Sequence, residues 1–165
     1  MNDRWEELLT VLKKMLLIYR TILTLSQKKH DILVAAKSQE LDKVTKQEEI
    51  LIFQVGKLED QRGKLVSEIM ADHGITGDQV SLVQLQAMAT PVVTEQLDKF
   101  GKELNDIITE MVPINKLNTA LIKQALLFIN YNINILSHTA VGPTYAAKGQ
   151  ENGQAPKRTV FDARV

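Results

Sequence analysis

Residues 97–136 read LDKFGKELNDIITEMVPINKLNTALIKQALLFINYNINIL, and this stretch decides the fold class of the chain. Its apolar residues recur at alternating spacings of three and four, which is the period of one face of an α-helix. Pro113 lies inside the pattern and removes one backbone hydrogen bond, so we expect a kink there. The seam positions are Leu97, Phe100, Leu104, Ile107, Met111, Ile114, Asn118, Leu121, Ala125, Phe128, Asn132 and Ile135.

The second half of this stretch, residues 121–136, is apolar on all sides of the predicted helix. No charged residue occurs between Lys123 and Lys148. A helix that packs on one neighbour needs a single apolar stripe, so this segment has apolar surface for a second neighbour. Amide side chains interrupt the apolar run and cost free energy in hydrocarbon unless they are paired, so we expect no membrane insertion. These amides are Gln124, Asn130, Asn132 and Asn134.

Two further helical seams precede this stretch, over residues 8–33 and 41–69. Their phase slips around residues 37–41, and Ser38 is a candidate N-cap for the second helix. The slip and the cap favour an antiparallel helical hairpin. A continuous helix that carries a stutter is the alternative.

Cap signals bound the remaining helices. Gly74 stands where a left-handed C-terminal cap is expected, so the second helix should end near His73. One short helix is expected over residues 80–88, and Thr90 with Pro91 is typical of the start of a long helix. Since no strand signal occurs, the sequence predicts an all-α fold, an elongated antiparallel bundle or coiled coil of three long helices with a short connecting helix.

The chain divides by composition into two parts. Residues 1–139 carry the three seams and are predicted to form one helical bundle domain. Residues 140–165 hold several Gly and Pro but few large apolar side chains. Such a segment cannot bury enough apolar surface to order itself, so we expect a flexible, disordered C-terminal tail.

Composition excludes several classes of function. Lys plus Arg and Asp plus Glu number 20 each, so no net charge attracts nucleic acid or an anionic membrane. The chain has no cysteine, which excludes a disulfide scaffold, a thiolate metal site and a cysteine nucleophile. The three histidines lie in different segments without metal-ligand spacing, and no phosphate-binding loop or nucleophile elbow is present. We therefore expect no catalytic residue, no metal, no cofactor and no enzymatic activity.

Several short motifs occur in a specific order along nearly the whole chain. They are LEDQR at residues 58–62, the N-x-x-N of Asn115 and Asn118 leading into Leu121, and Tyr145 with Gly149 and Gln150 near the C-terminal end. In this combination and order the chain resembles the FlgN-type flagellar export chaperones, which serve type III export.

The resemblance implies a cytoplasmic chaperone that uses neither catalysis nor nucleotide. Such a chaperone binds the C-terminal helices of hook–filament junction proteins and prevents their premature assembly. It then delivers them to the cytoplasmic domain of a membrane protein of the export gate, and Tyr145 with Gly149 would dock there. The client-binding residues expected from the resemblance and the apolar pattern are Asn115, Asn118, Leu121, Ala125, Leu126, Phe128, Ile129, Asn132, Ile133 and Leu136.

Other interpretations stay open at this point. The apolar segment can instead complete the protein's own core or form the seam of a homodimer. Sustained heptads alone also permit a structural coiled-coil scaffold or adaptor protein. A chaperone of the same class for flagellin or for the filament cap would share the architecture and differ only in its client.

Overall fold

The computed structural model describes residues 2–75 and 80–140, and within these ranges the chain is helical without any strand. The elements are α1 (Asn2–Val34), α2 (Ser38–Asp72), α3 (Leu82–Met88) and α4 (Pro91–Ala140). The predicted all-α class, with three long helices and a short connecting helix, is confirmed. Of the predicted tail, residues 140–165, Ala140 is the last residue of α4, and residues 141–165 lie outside the described residues.

The hairpin interpretation of the first two helices is correct. The chain reverses after α1 through Ala36, whose φ of 54° lies in the left-handed region. The N–H of Lys37 then donates to the carbonyl of Ile32 at 3.1 Å, which closes the end of α1. At the other end of the hairpin, Arg4 forms ion pairs with Glu68 and Asp72.

The predicted cap at Ser38 is wrong by one residue. Lys37 occupies the N-cap position of α2 without a side-chain cap hydrogen bond, and Ser38 is already helical. The carbonyl of Lys37 accepts from the N–H groups of Glu40 and Leu41, each at 3.2 Å. The backbone alone therefore starts this helix, directly after the left-handed turn.

The end of α2 has the predicted glycine cap. Gly74 has a φ of 68°, and its N–H donates to the carbonyl of Ala71 at 3.0 Å. The N–H of Ile75 donates to the carbonyl of Met70, also at 3.0 Å. These two bonds satisfy carbonyls that the last turn of a helix leaves without partners.

The short helix and the start of α4 also agree with the cap signals. Ser81 begins α3 with a capping box: its hydroxyl accepts from the N–H of Gln84 at 3.3 Å, and the Gln84 side chain accepts from the N–H of Ser81 at 2.9 Å. Helix α4 begins at Pro91 and continues through Pro113. Any kink at Pro113 therefore leaves α4 as one helix.

The chain separates into two compact units, Met1–Leu127 and Phe128–Val165. In the first unit α4 runs parallel to α1, because Arg20 bonds to Glu103 and Gln27 bonds to Glu110, both at a separation of 83 residues. All four helices contribute to one core in this unit. Its buried members are Trp5, Leu8, Leu9, Val11, Leu12, Met15, Val66, Ile69, Met70, Leu85, Val93 and Leu97.

Replacing Leu97 with Ala is expected to destabilise the fold strongly. Its side chain is 0% exposed, so truncation removes apolar contacts and leaves a cavity that costs about 2–5 kcal/mol of unfolding free energy. The matched control is Leu117→Ala on the same helix, where 55% exposure predicts a change within about 0.5 kcal/mol. Urea unfolding followed by circular dichroism measures both. Equal losses in the two variants would contradict this location of the core.

Candidate partner-binding surface on helix α4

Burial along α4 changes part-way through its seam. Leu97, Ile107 and Asn118 are buried, and Leu121 is half-buried. After Asn118 no residue up to position 137 is buried, although the apolar pattern continues. The seam therefore packs against the protein's own helices in its first part and presents apolar side chains to solvent in its second part.

The described residues of the second unit expose large apolar side chains. Phe128 and Tyr131 are 67% and 63% exposed, and Ile129 and Ile133 are 50% and 49% exposed. Ile129 and Ile133 are four residues apart and share one face, whereas Phe128 and Tyr131 are three apart and share another. Leu126 and Leu127, the last two residues of the first unit, are exposed as well.

The two expected client-binding asparagines Asn132 and Asn115 differ in how they are used. The Asn132 amide donates to the carbonyl of Phe128 at 3.0 Å, within the helix itself. Asn115 is exposed, and its backbone carbonyl accepts from the Thr119 hydroxyl at 2.9 Å. Because no charged residue lies between Lys123 and Lys148, contacts with this surface would depend on apolar burial and shape.

A cluster of buried and half-buried polar side chains ties α4 to the hairpin just before the exposed stretch, and we call it the polar layer. Its members are Ser26, Lys29 and His30 of α1, Glu48 of α2 and Asn118 of α4. The Asn118 amide donates to the backbone carbonyl of Ser26 at 2.9 Å. Its side-chain oxygen lies 3.1 Å from Nδ1 of His30, so this nitrogen carries the proton and donates.

The same layer holds a largely buried ion pair. Nζ of Lys29 lies 2.6 Å from Oε2 of Glu48, and the two side chains are 17% and 9% exposed. The Ser26 hydroxyl donates to Oε1 of Glu48 at 3.4 Å. No buried side-chain nitrogen or oxygen in the described part of the chain lacks a partner, so the layer is fully satisfied. A satisfied buried layer of this kind can fix the register of packed helices.

The polar layer was missed at the sequence level as a connected site. The signal was nevertheless present, because residues 26, 29, 48 and 118 are polar and stand at positions where the seams call for apolar side chains. Their partners could not be read from the sequence, since Asn118 and Ser26 are 92 residues apart.

The expected client-binding residues differ in exposure. Those that lie exposed are Asn115, Ala125, Leu126, Phe128, Ile129, Ile133 and Leu136. Leu121 and Asn132 are half-buried, and Asn118 is buried in the polar layer. Tyr145 and Gly149 lie outside the described residues.

Two titratable groups with shifted pKa values, Tyr19 on α1 and Glu59 on α2, lie close to each other. Burial raises the pKa of Tyr19, and the nearby Glu59 carboxylate raises it further. A hydrogen bond from Arg62 lowers the pKa of Glu59, so this carboxyl stays ionised and Tyr19 stays protonated near neutral pH. Among the described residues no group of three or more His, Asp or Glu could hold a metal ion. None of the described helices is long and apolar enough to cross a membrane.

The sequence matches to known proteins span both the bundle and the exposed part of α4. The family described as FlgN protein matches residues 1–153, which include all four helices. An uncharacterized protein of Bacillus subtilis (strain 168), YvyG, is 24% identical over 155 residues, and the match covers 93% of this chain and 94% of that protein. No solved structure matches the chain.

Replacing Asn118 with Ala is expected to loosen α4 from the hairpin. The change removes the hydrogen bonds of Asn118 to the Ser26 carbonyl and the His30 ring, at a cost of about 1–3 kcal/mol of unfolding free energy. Asn115→Ala, three residues earlier and exposed, is the control and should change stability by less than about 0.5 kcal/mol. Urea denaturation measures both variants. Equal stability of Asn118→Ala and the unmodified protein would rule out the structural role of this amide.

Proposed function

The chain belongs to the FlgN protein family of flagellar export chaperones, and from this premise we propose that its clients are hook–filament junction proteins. It binds the C-terminal helices of these proteins in the cytoplasm, keeps them from assembling early and delivers them to the export gate. The run of exposed apolar side chains from Leu126 to Ile133 carries the proposal.

An amphipathic client helix can bury its apolar face against this run. Ile129 and Ile133 form one stripe and Phe128 and Tyr131 a second, so a client helix can lie along either face or in contact with both. Burying one large apolar side chain is worth about 1.5–3 kcal/mol. Four of them, together with those of the client, offset an association cost of about 4–15 kcal/mol.

The polar layer is not part of the proposed client-binding surface. Asn118 is 2% exposed and uses its amide within the bundle, so its part in client binding is to hold α4 in register. Asn115 and Ala125 are also exposed and remain proposed client contacts of the first unit. Leu121 and Asn132 are half-buried and would contribute only part of their side chains.

We also infer that the protein works without catalysis or a cofactor. Membership of a chaperone family supports this inference. The apolar, uncharged character of the binding surface supports it too, because acid–base or nucleophilic chemistry requires titratable groups.

Delivery to the export gate rests on Tyr145 and Gly149. These residues follow α4 in the sequence, and their role is supported by the resemblance to chaperones that use a tail tyrosine. An aromatic ring in a segment of few large apolar residues suits a short docking motif for the cytoplasmic domain of a membrane protein.

Charge introduced on the α4 surface is expected to abolish client binding. Phe128→Asp combined with Ile129→Asp places two carboxylates where a client helix would bury apolar side chains, which costs far more than the contacts it removes. The measurement is fluorescence anisotropy with a labelled C-terminal peptide of a junction protein from the same genome. Circular dichroism checks that helicity is retained.

The chain offers a matched control for this variant on α2. Ile52→Asp combined with Phe53→Asp makes the same chemical change at side chains that are 60% and 65% exposed. Client affinity should be unchanged in this control. Unchanged affinity in the Phe128 and Ile129 variant would remove α4 from the binding site. If the protein prefers a flagellin or filament-cap peptide, the proposed client is wrong, but α4 remains the proposed binding surface.

Light scattering distinguishes the chaperone from a scaffold. A chaperone of this kind forms a complex of fixed stoichiometry with the client peptide. If α4 forms the seam of a homodimer, the client peptide should displace the second copy of the protein. Growth of the assembly with protein concentration, without any client, would instead indicate a structural coiled-coil protein.

Replacing Tyr145 with Ala is expected to separate client binding from export. The variant should bind the client peptide with unchanged affinity, because the α4 surface is intact, while secretion of junction proteins falls. Thr144→Ala is the neighbouring control and should secrete normally. Immunoblotting of junction proteins in culture supernatants measures the effect. Normal secretion by Tyr145→Ala would exclude this residue from delivery.

A further inference from the structure

A groove between α1 and α4 in the first unit combines an apolar floor with a basic rim. It has a volume of about 660 Å³, and its lining includes the apolar side chains Leu16, Leu17 and Phe100, which we call its floor, and the basic side chains Lys13, Arg20 and Lys99, which we call its rim. We call it the basic groove. We propose that it binds a short acidic amphipathic helix of a second partner protein, separately from the client surface on α4.

The floor of the basic groove exposes apolar area that the bundle core does not use. Leu16 and Phe100 are half-buried, and Leu17 is 62% exposed. A single exposed leucine needs no explanation, but a leucine beside two half-buried apolar neighbours in a concave site offers a contact for a partner side chain.

The rim gives the basic groove a net positive charge in a chain whose total charge is zero. The only carboxylate lining it is Glu103, which pairs with Arg20 and lies 4.0 Å from Nζ of Lys99. Lys13 has no carboxylate within 4 Å among the described residues. Three cations against one anion leave two positive charges, which select an acidic partner by complementarity.

The dimensions of the basic groove suit a helix of a few turns. Lys13 and Arg20 are seven residues apart on α1, which corresponds to about 10 Å along the helix axis. Lys99 lies on the opposite edge, on α4. A partner helix of two to three turns can therefore place apolar side chains on the floor and carboxylates at both edges.

Charge disfavours the two occupants that the protein itself could supply. Residues 141–165 contain four cationic side chains and only two carboxylates, Glu151 and Asp162, so this segment is also basic. A second copy that used the same groove would bring like charges together. A flat anionic membrane would reach the rim but leave the apolar floor unfilled.

The first test uses two designed helical peptides of about 18 residues as probes. Both carry leucine along one face, and the flanking positions are glutamate in one peptide and lysine in the other. The unmodified protein should bind the glutamate peptide and not the lysine peptide, with an affinity that falls as salt is added. Lys13→Glu combined with Lys99→Glu should weaken binding about tenfold or more, which corresponds to about 1.4 kcal/mol.

The control for this charge reversal uses two lysines on another side of α1. Lys14→Glu combined with Lys64→Glu changes the same number of charges at a groove between α1 and α2 and should leave the affinity unchanged. The variant with Phe128→Asp and Ile129→Asp should also keep the affinity. Equal losses in the two lysine variants, or a loss in the α4 variant, would overturn the assignment of the basic groove.

The absence of cysteine allows the bound peptide to be located by cross-linking. Leu17→Cys and Ile52→Cys each introduce one exposed thiol, on the floor of the groove and on α2. A glutamate peptide with an activated disulfide at a terminal cysteine should cross-link faster to Leu17→Cys. Equal rates would overturn the proposal. Binding to phosphatidylserine vesicles that requires Lys13 and Lys99, without peptide binding, would replace the helical partner with a membrane.

Discussion

The bonds of Asn118 are the constraint on which the rest of the arrangement depends. One side chain donates to the Ser26 carbonyl and accepts from His30, and the Lys29–Glu48 pair lies in the same layer. A purely apolar seam allows one helix to shift by a heptad relative to its neighbour, because successive heptads present similar apolar side chains. In a shifted register the polar groups of the layer lose their hydrogen-bond partners. The free-energy cost of these unpaired groups exceeds the stabilisation from the apolar contacts that the shift preserves. These five side chains therefore favour one register of α4 on the hairpin.

The basic groove and the α4 surface use different physical chemistry on the same helix. The first lies near Lys99 and is rimmed by charge, so its contacts weaken with ionic strength. The second has no charged residue after Lys123, so its contacts depend on apolar area. A protein with both surfaces can engage two partners whose sequences do not resemble each other.

Much of the fold was predictable because its signals are local. The caps at Gly74 and Pro91 and the reversal near residue 37 follow from short-range backbone geometry, and all three were found within one or two residues. The cap at Ser38 was misplaced because a left-handed Ala36 is rarely expected from an alanine. The apolar surplus after Leu121 indicated a second neighbour, but the sequence left open whether the protein's own helices cover it, since burial depends on which neighbouring helix reaches that far.

The parallel course of α1 and α4 has a kinetic consequence. Contacts between α1 and α2 close through a three-residue turn, whereas those between α1 and α4 join residues 83 to 92 positions apart. The entropy of loop closure makes the distant contacts slower to form. We therefore expect the hairpin to fold first, during synthesis, and α4 to dock last. The segment that ends in the apolar stretch is thus the final part of the bundle to leave the ribosome, and its apolar side chains stay exposed after the core has closed.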